Sequence, residues 1–395
     1  MIFLLGLIMR LYCVFTVEYT LMTDALNYHN LAAQLAAGGE FGYVSSEANA
    51  YITPLYPLFM SLFYRIFGPD GGMLAVQIAQ SILGALTAVI GYFIAKRFFT
   101  RAAGVIAAIF LAFYPPFIMG SMCLLTECFY VFIFMIYLYF QLASVFRKDR
   151  VIKERLFLSA VCGMLFALCT LTRPAIFPLA VLPYGYKFFT VKREDKRSVL
   201  FEFLTFSLGI IAFMLPWWIR NAVVLGRFVL LCDQGGNPLL FGTFPNMEIP
   251  DGFYVSPELE MITAIERIIN GFTKEPIKYL EWYTTGKFRY IFFNIWYYLP
   301  GPVSMPYFRS YLYIMHFAAV VLGWFSVLYG VFSRKLRPLA LFAVGLTALQ
   351  LAVIPNERYA YTILPVLILL LSEVSVRCFS TLKNRKNFKE KISVK

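Results

Sequence analysis

Ten apolar stretches divide this chain, at roughly 1–18, 72–95, 102–118, 122–146, 157–172, 174–190, 199–218, 310–332, 338–354 and 359–378. A helix needs ~20 mostly apolar residues to cross a bilayer, and most of these stretches approach that length. Only 14% of the residues are charged and the mean hydropathy is +0.70. A soluble domain carries ~25% charged residues, so lipid is the expected solvent. The expected fold class is all-α, a polytopic membrane protein of about ten transmembrane helices. The fifth and sixth stretches are short and share the turn Thr172-Arg173-Pro174. Met1 opens directly on apolar residues without a basic leader, so no cleavable signal is expected. The seven cysteines lie mostly inside apolar stretches and form no CxxC pair, which argues against a disulfide framework.

The placement of charge orients these spans. With the amino terminus in the cytoplasm, the inner segments are 96–101, 147–155, 187–197, 334–337 and 377–395. They hold 23 of the 35 Lys and Arg residues. This is the positive-inside bias, and it fits both termini in the cytoplasm. The basic segment 379–395 then reads as a cytoplasmic tail facing lipid headgroups. Nucleic acid is not an expected partner, since no aromatic stacking module accompanies that tail.

Two long outer segments remain, within a single membrane-embedded domain spanning 1–395. In the first, 18–71, Thr23 is expected to cap a short helix over 24–37 that stops at Gly38-Gly39. A second short helix over 57–67 follows the break Thr53-Pro-Leu-Tyr-Pro57, and both are expected to lie in the membrane interface. The second outer segment, 216–309, opens with Pro216-Trp-Trp-Ile-Arg-Asn221. It continues through a glycine-rich turn at 233–237 and a helical stretch near 257–290, then an aromatic run from Tyr290 to Tyr298.

Fifteen of the 22 acids fall outside in this topology. Asp24 stands at the start of an interfacial helix, where the helix dipole favours its ionised form. Tyr28, at i+4, shares its face. An ionised carboxylate there can deprotonate a hydroxyl, or it can simply help to cap the helix. Glu127, in Leu124-Leu-Thr-Glu-Cys-Phe129, sits at the outer end of the fourth span, a costly depth unless it faces a wet cavity or a partner. Arg173, Arg220 and Arg358 stand at the outer ends of three spans, against the positive-inside trend. Arginine's fork suits a phosphate, although Glu357 offers Arg358 a local ion pair instead. His29 and Asp24 are too sparse a set for a metal, and no divalent metal is expected.

In order, the chain shows an acid after the first span, TPLYPLF, LLTE, LTRP, PWWIRN with a glycine-rich turn, and ERYAYTILP. This order resembles the C-superfamily membrane glycosyltransferases of family 39, the group of the protein O-mannosyltransferases and the lipid A aminoarabinose transferases. The resemblance covers nearly the whole chain. It implies an inverting, metal-independent transfer of a sugar from a polyprenyl-phosphate donor to an acceptor hydroxyl on a lipid, glycan or protein. That transfer would take place on the outer face of a bacterial plasma membrane. It implies Asp24 as the catalytic acid position, with Glu127 as a second. Arg358 matches the arginine of the family's RY…LP segment; on that reading Arg358, with Arg220 or Arg173, is expected on the donor phosphate, and Tyr28, Tyr56 and Tyr359 are expected to orient substrates. Many relatives carry a basic residue where this chain has Ile52, so one phosphate contact differs or Arg65 replaces it. A transporter or flippase of lipid-linked saccharides is the alternative. It accounts equally well for ten spans but predicts related halves and midplane charges, and neither is evident.

Overall fold

The computed structural model describes residues 1–146, 151–296 and 306–393, with side chains for all of these except 306–309 and 385–393. Parts of three expected features lie outside the described residues: the inner segment at 147–150, the second outer segment at 297–305 with the end of its aromatic run, and tail residues 394–395.

The chain is an all-α polytopic membrane protein. In order, the helices are α1 (Ile2–Thr16), α2 (Thr23–Ala36), α3 (Leu55–Phe98), α4 (Arg101–Phe113), α5 (Pro115–Met119) and α6 (Thr126–Phe146). They continue with α7 (Ile152–Thr172), α8 (Leu182–Thr190), α9 (Lys196–Leu225), α10 (Gly236–Phe241), α11 (Glu260–Lys274) and α12 (Pro276–Glu281). The last are α13 (Lys287–Phe293), α14 (Pro306–Phe317), α15 (Gly323–Phe332), α16 (Arg337–Ala352) and α17 (Ala360–Ser393). Among the described residues, six helical stretches are long and apolar enough to cross a membrane, and Ile2–Thr16, Arg101–Phe113 and Arg337–Ala352 are shorter apolar helices. The expected span at 174–190 is broken: a 3₁₀ run, Pro174–Val181, leads into the nine-residue α8. Pro178 and Pro183 remove amide donors there and prevent one regular helix.

Local sequence sets the first outer segment. The break at Gly68-Pro69 divides α3 into an initial part and a long apolar part. Gly68 takes φ +72°, a left-handed conformation that glycine adopts without strain. The initial part packs against α2 through Ala25, Ala32, Tyr56, Met60 and Tyr64. The cap differs from expectation. Met22 precedes the helix, Thr23 is its first residue with φ +48°, and no side chain caps it. The turn at Gly38 does end α2, with φ +84°. At the far side, α9 runs through Pro216 to Leu225 and stops at Gly226 in the left-handed region, so the expected boundary at 216 falls inside a helix.

Charges inside the helical bundle have partners. Arg10 of α1 is buried and donates to Leu111 O at 3.2 Å and to Ala112 O at 2.9 Å. These carbonyls end α4 ahead of Pro115-Pro116, so the guanidinium satisfies acceptors that no helical amide can reach. Near the start of α9, fully buried Glu202 contacts both Arg155 of α7 and Lys187 of α8, and Lys187 Nζ also donates to Ser144 Oγ at 3.3 Å.

Candidate active site

Four segments distant in sequence converge at the end of the bundle where α2 begins. Asp24 lies in the first turn of α2, where free amides and the helix dipole favour a carboxylate. Arg358 lies in the 3₁₀ turn Glu357–Tyr359 that leads into α17, and Asn356 Oδ1 caps this turn by accepting from Arg358 N at 3.0 Å. Glu127 opens α6. Arg173 follows α7, and Pro174 forces it into extended backbone, φ −141° and ψ 100°, which ends the helix.

These side chains form a chain of alternating charge. Arg358 Nη2 donates to Asp24 Oδ2 at 2.6 Å. Arg358 Nε stands 3.3 Å from Glu127 Oε1, an ion-pair approach without hydrogen-bond alignment. Arg173 Nη1 donates to the same Glu127 oxygen at 2.6 Å and to Thr126 Oγ1 at 3.1 Å. Arg173 also sits over the Tyr359 ring, 5.4 Å from its centroid. The adjacent Glu357 is not the partner of Arg358. Two carboxylates and two guanidiniums thus balance one another. Exposure grades along the chain: the Asp24 side chain is 38% exposed and Glu127 only 1%. Asp24 is therefore the end open to solvent, and Glu127 is the buried anchor. Its burial is tolerable because both neighbours are cationic.

The backbone before Glu127 is irregular from Gly120 to Leu125 and needs outside partners. Gln77 Nε2 donates to Met122 O at 2.8 Å, and Gln80 Nε2 donates to Ser121 O at 3.0 Å and to Cys123 O at 2.8 Å. Non-helical backbone at this depth persists only with such partners. Tyr56 takes part in this scaffold. It is fully buried and its hydroxyl donates to Gln80 Oε1 at 3.0 Å, so it lies behind the site. Tyr28 packs edge-on to Tyr56, with centroids 5.2 Å apart, and leans on Tyr43 at 5.6 Å.

Tyr43 escaped the sequence reading. Its hydroxyl donates to Asp24 Oδ1 at 3.2 Å, so the two Asp24 oxygens are held by different residues. Burial, and then the Asp24 charge, push the Tyr43 phenol well above its ordinary range, and it stays a donor. Tyr28 shifts the same way, chiefly through burial. No spacing rule links positions 24 and 43; only the closure of the loop after Gly38 joins them.

Arg220 is not brought to the charge chain. It donates to Asn49 O at 2.9 Å, Phe41 O at 3.0 Å and Asn221 Oδ1 at 2.9 Å, and it lies against the rings of Phe41 and Trp217. Its place is to fasten the loop that carries Tyr43. His29 is likewise turned away: its Nδ1 lies 2.7 Å from the Tyr64 hydroxyl. Ile52 is buried and Arg65 is exposed.

Residues 52–219 match the family described as dolichyl-phosphate-mannose-protein mannosyltransferase. No curated protein sequence matches the chain. Among solved structures, the fold is similar to the archaeal oligosaccharyltransferase AglB from Archaeoglobus fulgidus in complex with an inhibitory peptide and a dolichol-phosphate. That likeness has a TM-score of 0.61 and 15% identity, and covers 98% of this chain and 51% of that one. It is similar also to ArnT from Cupriavidus metallidurans bound to undecaprenyl phosphate, with a TM-score of 0.55, 11% identity, and coverage of 94% of this chain and 58% of that one. The chain therefore spans little more than half the length of the solved proteins it resembles. Over residues 52–219, less than half of its length, the chain thus matches that mannosyltransferase family in sequence, and over nearly its whole length it is similar in fold to AglB and ArnT.

Proposed function

We propose that the protein transfers a sugar from a polyprenyl-phosphate donor to an acceptor hydroxyl at the outer face of the membrane, with inversion at the anomeric carbon. The observation that carries this reading is the ion-pair chain Asp24–Arg358–Glu127–Arg173. It sets an exposed carboxylate against two guanidiniums at the end of a membrane bundle. The lipid phosphates named in the AglB and ArnT structures support a donor of this class.

Asp24 accepts the proton of the acceptor hydroxyl as that oxygen bonds to the anomeric carbon. The bond from that carbon to the phosphate oxygen breaks, and the electron pair leaves on the polyprenyl phosphate. Arg358 and Arg173 stabilise the charge that develops there, and preorganised charge of this kind does most to lower the barrier to such a transfer. Tyr43 and Tyr28 hold Asp24 and its surroundings, and Tyr359 stands beside Arg173 at the rim. Arg220 acts through the loop it fastens. The outer-face position follows from the positive-inside bias.

The test is transfer by the purified protein from polyprenyl-phosphate sugars to a panel of acceptors, beside a polyprenyl-phosphate binding assay. Binding without transfer by any donor and acceptor pair favours movement of lipid-linked saccharide and overturns the enzymatic reading.

A further inference from the structure

We propose that a cleft in the second outer segment, between α11 and the loop 243–253, binds an anionic saccharide. As a binding site it stands by itself; as the seat of the acceptor it rests on the transferase reading. The cleft holds about 430 Å³, within the ~300–1,000 Å³ of small-ligand sites.

Its central group is Arg267. The guanidinium carbon lies 3.9 Å from the centroid of the Phe244 ring and 5.8 Å from that of Phe253. Nε donates to Thr243 Oγ1 at 2.8 Å. Stacking and this bond fix the plane of the fork. Among the described residues no carboxylate comes within ion-pair distance of it, and neither terminal nitrogen has a protein acceptor. A rigid fork with two free donors matches a carboxylate or a phosphate.

The rest of the cleft fits a sugar. Tyr279, buried against Gly271 where any β-carbon would meet its ring at 2.0 Å, forms an aromatic floor to the cleft. Asn270 and Lys274, three and seven residues after Arg267, stand on the same face of α11 and add polar donors at the rim. Lys278 is paired with Glu275 at 2.9 Å. Arg267 and Lys274 therefore outweigh the remaining acid, Glu248. The opposite face of α11 is apolar and exposed through Ile262, Ile265 and Ile269, as in a helix lying on a bilayer. The cleft side is turned away from lipid.

One wall of the cleft is tied to the segment that precedes Arg358. Ile354 N donates to Pro238 O at 2.7 Å, and Trp282 Nε1 donates to Gly242 O at 2.9 Å. Gly242 packs directly on Val353. The segment that ends in Phe244 is thus fastened to the one that leads into Arg358.

The experiment measures binding to the detergent-purified full chain of three probes: a short oligogalacturonate, glucosamine 6-phosphate and the neutral maltotriose. Either anionic probe should bind wild type, and Arg267→Ala should weaken that binding by about tenfold or more, the effect of losing a charge-assisted bond. Asn270→Asp, at an exposed position, should weaken it as well, and serves if Arg267→Ala folds poorly. Competition by inorganic phosphate distinguishes a phosphate-bearing ligand from a uronate. Equal binding of maltotriose, or anion binding unchanged in both variants, overturns the proposal, and so does no binding by wild type. Arg358→Ala should weaken polyprenyl-phosphate binding and leave oligogalacturonate binding intact. If it leaves both intact, the donor assignment fails while the cleft assignment stands.

Discussion

Asp24 and Arg358 hold each other, Oδ2 to Nη2 at 2.6 Å, across 334 residues of sequence. The proposed base and the proposed phosphate cation are therefore each other's partner before any donor arrives. On that proposal, a phosphate that takes Arg358 would release Asp24 to act as a base. Asp24→Asn removes the competitor for Arg358, so polyprenyl-phosphate binding should strengthen by a few-fold, the scale of a partly exposed ion pair. Transfer should fall by ~10²–10⁴-fold, the usual contribution of a general base. Titration calorimetry with polyprenyl phosphate, beside single-turnover transfer, reads both quantities. Weaker binding in the variant sinks the competition, and unchanged transfer removes Asp24 from the chemistry.

Arg358→Ala deletes the cation between two carboxylates and leaves Glu127 to Arg173 alone. Donor affinity should drop by roughly ten- to a hundredfold, the worth of a charge-assisted bond. Arg358→Lys should recover part of this, since an ammonium keeps the charge but not the fork. Full recovery with lysine rules out a bidentate phosphate contact. A melting curve for each variant separates lost folding from lost binding, because Glu127 is buried.

Much of this site was legible because single residues announced themselves against the chemistry of lipid. Glu127, Arg173 and Arg358 each break a rule of membrane composition, Asp24 stands out by its place at the start of an interfacial helix, and the structure joins all four. Arg220 breaks the same rule for a different reason: its donors satisfy carbonyls of the loop 41–49. Residue type and position cannot separate those two uses of a guanidinium, because both satisfy it with oxygen. Tyr43 was invisible since its contact with Asp24 depends on loop closure and not on a helical period. The break at Gly68-Pro69 was readable because those two residues carry their geometry locally. The inner ion group was hidden in a charge count, where Lys187 looked like one more orienting cation.

Lys287 of α13 gives the outer segment a pH dependence. It is buried, donates to Leu351 O at 2.9 Å and lies 3.7 Å from the Tyr283 ring centroid. Burial lowers its pKa to about 7, against ~10.4 in an unfolded chain. Between these values the unfolded chain binds a proton that the folded one does not, so stability rises with pH there. Below about pH 7 both states are protonated and the slope vanishes. Lys287→Met lacks this group. The wild-type melting temperature should climb relative to the variant from pH 7 to 9.5. A difference that stays flat over that range means that Lys287 is charged in the fold.

The group Arg155–Glu202–Lys187 predicts that deleting one charge costs more than deleting a pair. Glu202 is fully buried, and the Lys187 and Arg155 side chains are 7% and 18% exposed. Glu202→Leu leaves Lys187 buried beside a second cation. Breaking a buried pair from one side costs about 3–5 kcal/mol, so yield and melting temperature should fall sharply. Removing both partners, Lys187→Leu with Glu202→Leu, takes away the desolvated charges together. Arg155 can then extend to water along its own stem. The double variant should regain most of the loss, since apolar replacements of a buried pair are often neutral or better. Position 202 precedes Arg220 on α9 by roughly 27 Å of helix, so transfer per folded molecule should match wild type. The four proteins of the double-mutant cycle, compared by melting in detergent and by specific activity, decide it. If the double variant is as unstable as Glu202→Leu alone, the pair does more than neutralise itself, and Ser144, which accepts from Lys187 at 3.3 Å, becomes the next partner to delete.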